Sequence, residues 1–235
     1  MTLYNRPNVI DAATDAEIPA PEFMRSSDGG RLLYLLRHEH GDQPIIVQFI
    51  AARAGEGTSS MARDLALIAA RDFGLRVLLL DLLGRGESSQ FSWFDQHYRG
   101  HGAQAIRQWD VPDPEGLQEM AQHVAIYQLG RHPLWVSEND ASWNPGWAHW
   151  TNIFPPLLAN FDLILVDSPA LERHYDGVMI SPHVTANLIV IEAEATRAAV
   201  VQNLRDRILE VKGVIAGTLL NKRQFYIPEA IYKRL

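Results

Sequence analysis

The stretch Ile45–Ser60, IIVQFIAARAGEGTSS, decides the reading of this chain. An apolar run, IIVQFI, enters a glycine-containing loop. The following SSMARDLALIAARDF is helical in period, with Met61, Leu65 and Ile68 at i, i+4, i+7 and Ala62, Ala66 and Ala69 beside them. Strand, glycine loop, helix is the layout of a phosphate-binding P-loop. Ala52–Ser59 keeps that spacing, except that Ala52 replaces the first glycine and Thr58 replaces the lysine. Gly55 and Gly57 let the backbone turn its N–H groups toward an anion, and the helix adds its N-terminal dipole. Ser59 occupies the place of the hydroxyl that binds Mg2+. Arg53, Gly55, Glu56, Gly57, Thr58, Ser59 and Ser60 are therefore the candidate nucleotide-binding residues of the loop. One missing charge-assisted contact costs about 1.5–3 kcal/mol, so binding is expected to survive better than phosphoryl transfer. Arg53 either supplies a guanidinium to a phosphate, of its own chain or of a dimer partner, or is a solvated loop arginine.

Outward from the loop the signals alternate. Gly74 ends the helix, and RVLLLD (76–81) reads as a strand buried on both faces. FDLILVD (161–167), ANLIVIEA (186–193) and GVIAGTLLNK (213–222) are further strands. Helices are expected at GRLLYLLRHEH (30–40), near 115–123, near 146–159 and at TRAAVVQNLRDRILEV (196–211). Val200, Leu204, Ile208 and Val211 share one face of the last. A strand is expected near 132–137. The βα alternation predicts a doubly wound parallel sheet flanked by helices, an α/β fold of the P-loop NTPase kind. Residues 1–21 lack periodicity and read as a flexible segment before one domain, 22–235.

Composition bounds the function. The 235 residues are 47% hydrophobic and 21% charged, enough for a real core. A net charge of −7 argues against broad nucleic-acid binding. Without cysteine there is no disulfide or thiolate metal site, and a cytoplasmic location fits. No apolar run approaches the roughly 20 residues of a membrane span, so work at a membrane requires a partner there.

Two carboxylates sharpen the site. Asp81 ends VLLLD and Asp167 ends LILVD. Carboxylates at the C-terminal ends of central strands beside a P-loop are placed to manage Mg2+ and its waters. Ser59, Asp81 and Asp167 are the candidate Mg2+ ligands, and Asp81 and Asp167 the candidate catalytic pair.

In this order the motifs resemble those of deviant P-loop ATPases of the MinD/ParA class. Within that class they look most like the cytoplasmic domain of bacterial tyrosine autokinases that partner polysaccharide co-polymerases. GEGTSS resembles the kinases' GEGKS(T) loop, VLLLDLLGR their D-x-D-x-R motif and FDLILVDSP their Walker B strand. LNKRQFYIPEAIYKRL resembles tails of exopolysaccharide-operon members. The resemblance implies ATP or ADP with Mg2+ as cofactors and an adenine contact from Asn221, which otherwise closes its strand in a turn. It places Thr196 and Arg197 where relatives respond to the γ-phosphate; the other reading of Thr196 is a helix N-cap. A second resemblance, to the MinD-class ATPase of bacterial cellulose secretion, carries Arg at the place of Arg53 and Thr at that of Thr58. It implies that nucleotide binding is kept.

The departures are as informative. Leu83 stands where the kinase motif has its second Asp, while Asp81 and Arg85 remain. The tail has only Tyr226 and Tyr232 in place of a tyrosine cluster. Of an E-x-x-R-x-x-R self-association pattern Glu22 and Arg25 match, but Asp28 replaces the last Arg. The expected function is therefore a catalytically impaired, pseudokinase-like nucleotide-binding regulator of exopolysaccharide synthesis or export. It would be recruited to the inner membrane by a Wzz-type co-polymerase and able to form a homodimer, with no nucleic-acid partner. The alternatives are an active autokinase or ATPase using Arg53, and a nucleotide-free scaffold.

Other candidates carry less. His38 and His40 point apart on a helix, and glycines interrupt the i, i+4 pair His97 and His101, so a histidine metal site is not expected. Ser88 and Ser89 lack a G-x-S-x-G elbow. Trp93, Trp109, Trp135, Trp143, Trp147 and Trp150 read as packing, with an exposed subset available to a partner. Lys222, Arg223, Lys233 and Arg234 read as a solvated basic tail, or as a contact to anionic lipid or a partner.

Overall fold

A computed structural model describes residues 18–38, 40–82, 89–98, 106–109, 117, 120, 122–129, 132–139 and 150–223. Leu83, Arg85, Ser88, His101, Trp143, Trp147, Tyr226, Tyr232, Lys233 and Arg234 lie outside these residues, as do residues 1–17.

Among the described residues eight strands form one sheet. They are β1 (Ile45–Ala51), β2 (Val77–Asp81), β3 (Ile106–Trp109), β4 (Val124–Leu129), β5 (Leu134–Asn139), β6 (Leu163–Asp167), β7 (Ala186–Glu192) and β8 (Ile215–Asn221). The order is β3-β4-β5-β2-β6-β1-β7-β8. From β5 to β8 every pairing is parallel, while β4 runs antiparallel to both β3 and β5.

The helices are α1 (Ser26–His38), α2 (Thr58–Phe73), α3 (Gln90–Tyr98), α4 (Trp150–Leu158), α5 (Asp176–Ile180) and α6 (Ala198–Glu210). Strand parity sorts the core into layers, because successive side chains point to opposite faces. Val47, Phe49, Leu79 and Leu165 pack with Leu33 of α1 and Leu65 and Ile68 of α2. Ile46, Leu78, Leu80, Ile164 and Val166 pack on the other face with Ile153, Phe154 and Leu157 of α4. Ile50 and Ile189 meet Leu204 and Ile208 of α6. A sheet covered on both faces accounts for the apolar runs of β2 and β6, and of β1, which only the buried Gln48, donating to Gly177 O, interrupts.

The doubly wound α/β reading holds, with local differences, among them the antiparallel β4 and the short α5. Two strands, β3 and β4, were not expected; β4 is short and half-exposed, so it lacks the signal of a doubly buried strand. Helix α3 also had no periodic signature. Helix α1 begins at Ser26, four residues before the expected start; inside it, a Cβ on Gly29 would lie 2.5 Å from Ile68 Cδ1. Leu117, Met120, Gln122 and His123 are helical, in the region where a helix was expected. Trp135 and Trp150 are core residues. Among the described residues no helix is long and apolar enough to cross a membrane.

Candidate functional site

Parallel pairing brings the ends of β1, β2, β6, β7 and β8 to the same edge of the sheet, where α/β folds place ligands. The loop from β1 to α2 turns there. Gly55 and Gly57 have φ of +84° and +95°, left-handed values that favour glycine. Gly57 is also the residue before α2, and no side chain caps this helix end. A Cβ on Gly57 would lie 2.0 Å from Asn221 Nδ2, whereas one on Gly55 would meet nothing within 4 Å.

This edge encloses a cavity of about 480 Å3. Arg53, Gly55, Gly57, Thr58, Ser59 and Ser60 line it from the loop, and Asn221 from the end of β8. Arg63 of α2, Arg173 and Lys222 add three more cations, and among the described residues no carboxylate side chain lines the cavity. Phe23 and Trp93 form its aromatic part. Arg63 lies 4.1 Å over the Trp93 ring, a cation–π contact.

Glu56 does something other than its place in the loop suggested. Its side chain is buried and faces away from the cavity lining. Oε2 accepts from Arg53 N at 2.9 Å, and Oε1 accepts from Thr196 Oγ1 and from Glu192 N. The carboxylate thus ties the loop to the end of β7 and the turn before α6. Thr196 is accordingly not the N-cap of α6; Arg197 holds that position without a side-chain bond. Asn221 joins the same frame, donating from Nδ2 to Glu56 O at 2.9 Å and accepting from Lys222 N at 2.8 Å.

Beneath the loop lie the two carboxylates. Asp81 and Asp167 are register partners across β2 and β6, and both are buried. Gln90, the first residue of α3, bonds to each: its N–H donates to Asp81 Oδ2 at 2.8 Å and its Nε2 to Asp167 Oδ2 at 2.7 Å. The same Nε2 donates to Ser59 O at 2.8 Å. Burial first, then the Asp81 charge, push the Asp167 carboxyl up to about 7, against the pull of Gln90, Ser59 and Arg63. Asp167 Oδ1 is buried without a partner, and so is the hydroxyl of Ser168, which lines the cavity.

These groups fit a hard divalent cation. Ser59 and Asp167 offer oxygen donors on the α2 side, Asp81 stands beside them, and Asp167 Oδ1 has unused capacity. Mg2+ keeps most of its waters and takes one or two protein ligands.

Sequence reasoning did not single out Gln90, Asp64 or the cavity roles of Arg63, Arg173 and Trp93. Asp64 Oδ1 and Oδ2 accept the backbone N–H groups of Glu22, Phe23 and Met24 at 3.2, 2.5 and 2.7 Å, which sets Phe23 at the cavity. A carboxylate in the interior of an apolar helix, at the i+6 place after Thr58, was the available signal. Lys222, read as part of a basic tail, instead donates to Gly55 O and pairs with Glu192.

Solved structures share this fold. The VpsO kinase domain matches with a TM-score of 0.62 at 20% identity, over 85% of this chain and 94% of that one. The kinase domain of the Escherichia coli tyrosine kinase ETK matches at 0.61 and 18% identity, over 86% and 78%. The MinD cell division protein of Aquifex aeolicus matches at 0.51 and 20% identity, over 81% and 72%. The P-loop NTPase fold of the MinD/ParA class, read from three short motifs, is therefore the fold of this chain. No curated protein matches the sequence. Residues 45–214, which hold the loop, both carboxylates and all but the last strand, match the model of the family described as cellulose biosynthesis protein BcsQ; the chain belongs to that family.

Proposed function

We propose that this chain binds ATP or ADP with Mg2+ and, with little or no turnover, regulates bacterial cellulose synthesis or secretion. The observation that carries the reading is the uncapped end of α2, which opens with two left-handed glycines into a cavity that, among the described residues, is lined by four cations and no carboxylate. A polyphosphate is the ligand such a lining suits. The loop backbone and the side chains of Arg53, Ser59 and Ser60 hold the phosphates, and Asn221 contacts the base. Ser59, Asp167 and Asp81 hold the cation, which when bound neutralises charge on the phosphates. Thr58 brings no ammonium to the transferring group, so binding outlasts catalysis.

Nucleotide then acts by favouring one conformation or one assembly. The Glu56 tie to Thr196 gives the loop a mechanical route to the turn before α6. Membership of the cellulose biosynthesis protein BcsQ family supports a polysaccharide role, with cellulose as the polysaccharide. The partner in this reading is a membrane component of the polysaccharide machinery, of which a Wzz-type co-polymerase is one form, and the chain itself forms a homodimer across the nucleotide face. An active autokinase or ATPase is the second reading, favoured by Arg53 lining the cavity.

Calorimetry with ATP and ADP, with and without Mg2+, tests the first. Absence of heat at millimolar nucleotide would leave a scaffold as the better account. Incubation with labelled ATP followed by phosphate release and phosphotyrosine mass spectrometry tests the second.

A further inference from the structure

We infer that Lys222, from the turn after β8, is a phosphate ligand of this site and supplies the ammonium that Thr58 removes from the loop. The inference rests on the nucleotide reading above and names a group that carries it.

Lys222 lies far from the loop in sequence yet lines the same cavity as Thr58 and Ser59. Its Nζ donates to Gly55 O at 2.6 Å and lies 3.0 Å from Glu192 Oε2. A lysine ammonium has three donors; these two contacts leave one for an anion in the cavity that Lys222 lines.

The backbone is built to hold Lys222 there. Its φ is +56°, a left-handed value that few side chains adopt. Its own N–H is held by Asn221 Oδ1, and Asn221 Nδ2 in turn donates to Glu56 O. Two consecutive residues of the turn thus grip two consecutive carbonyls of the loop. Strained backbone of this kind persists where surrounding contacts over-determine it, and it gathers at ligand clamps. Ser168 adds an independent sign of a ligand, since its hydroxyl is buried at the cavity without a partner.

A latch that only steadies the loop would use the same contacts, and calorimetry of a small variant set separates the two. Mg2+ with ATP, and with ADP, is titrated into the wild-type chain, K222M, E192Q, T58K and T58K/K222M, each checked for fold by its melting curve. Lys222 is 47% exposed, so K222M leaves the core intact. A phosphate ligand predicts that K222M loses about tenfold in affinity, the lower end for a charge-assisted contact. It also predicts that E192Q binds as well as wild type or better, and that K222M costs little once T58K has restored the loop ammonium. Equal affinity of K222M and wild type overturns the assignment, as does an E192Q loss matching that of K222M, or a K222M cost undiminished by T58K. A wild-type chain that binds no nucleotide at millimolar concentration overturns the nucleotide reading itself and Lys222 with it, an outcome distinct from the other three.

Discussion

Asp81 and Asp167 close neighbouring strands in register, and one residue, Gln90, bonds to both carboxylates through its backbone and its side chain. Two buried acids side by side repel when both are ionised. Asp167 relieves this by holding its proton to about 7. In the unfolded chain the same group ionises near 3.8. The folded state therefore binds more protons across that window, and stability falls as pH rises from about 4 to about 7 and then levels.

Asp167→Asn removes this slope. At pH 8 the variant is expected to melt higher than wild type by about 2–4 °C for each kcal/mol of repulsion released, and the difference shrinks toward pH 4. Paired thermal melts at both pH values check it. An advantage for the variant that is the same at pH 4 and pH 8 would contradict the assignment. Because a divalent cation requires the carboxylate form, affinity for Mg2+ in the presence of nucleotide is expected to rise as pH passes through 7.

The two loop glycines separate strain from collision. Gly55→Ala places a Cβ in open space at φ +84° and bears only the backbone cost, about 1–2 kcal/mol. Gly57→Ala adds a contact at 2.0 Å with Asn221 Nδ2, which cannot move without releasing Glu56 O. Denaturant unfolding should show Gly57→Ala as the more damaging by about 1–3 kcal/mol, and removing the Asn221 side chain should narrow the gap.

Asp64 holds the chain before α1 by three backbone N–H groups. Asp64→Ala orphans them, and a loss of about 2–4 kcal/mol is expected. Hydrogen exchange should rise first at Phe23 and Met24, ahead of the sheet. Protection at those amides equal to wild type would show that the segment is held by Met24 and Ile18 packing instead.

Legibility divides by the range of the contact. Strands β1, β2 and β6 are buried on both faces, so each carries its signal in a run of apolar residues, broken in β1 only by Gln48. The loop could be found because its glycines and hydroxyls are adjacent in sequence. Asp81 and Asp167 could be found because each ends such a strand. Gln90, Asp64 and Lys222 act on residues 77, 40 to 42, and 167 positions away. No local period or propensity marks a polar residue for a partner that distant. Glu56 shows the converse: its position in the loop motif implied a ligand contact, but burial turned its carboxylate inward to three protein donors. The antiparallel edge was missed because β4 has only six residues and its alternation breaks at the half-buried pair Tyr127 and Gln128.

Glu56 and Thr196 provide the last test, of the link between the loop and α6. Glu56 Oε1 accepts from Thr196 Oγ1 and Glu192 N, while Oε2 holds Arg53 N. Glu56→Ala leaves all three donors without this partner in a buried setting and should cost about 2–4 kcal/mol. Thr196→Val loses only one and should cost about 1–2 kcal/mol. Since the Thr196 bond is already gone in Glu56→Ala, the double variant should be scarcely less stable than Glu56→Ala alone, a coupling of about 1 kcal/mol or more. A double-mutant cycle by urea unfolding measures it, and strict additivity would break the link. If the link carries nucleotide state to the turn before α6, Thr196→Val should also reduce the protection that Mg2+-nucleotide confers on α6 amides in hydrogen exchange, while leaving nucleotide affinity within about threefold of wild type.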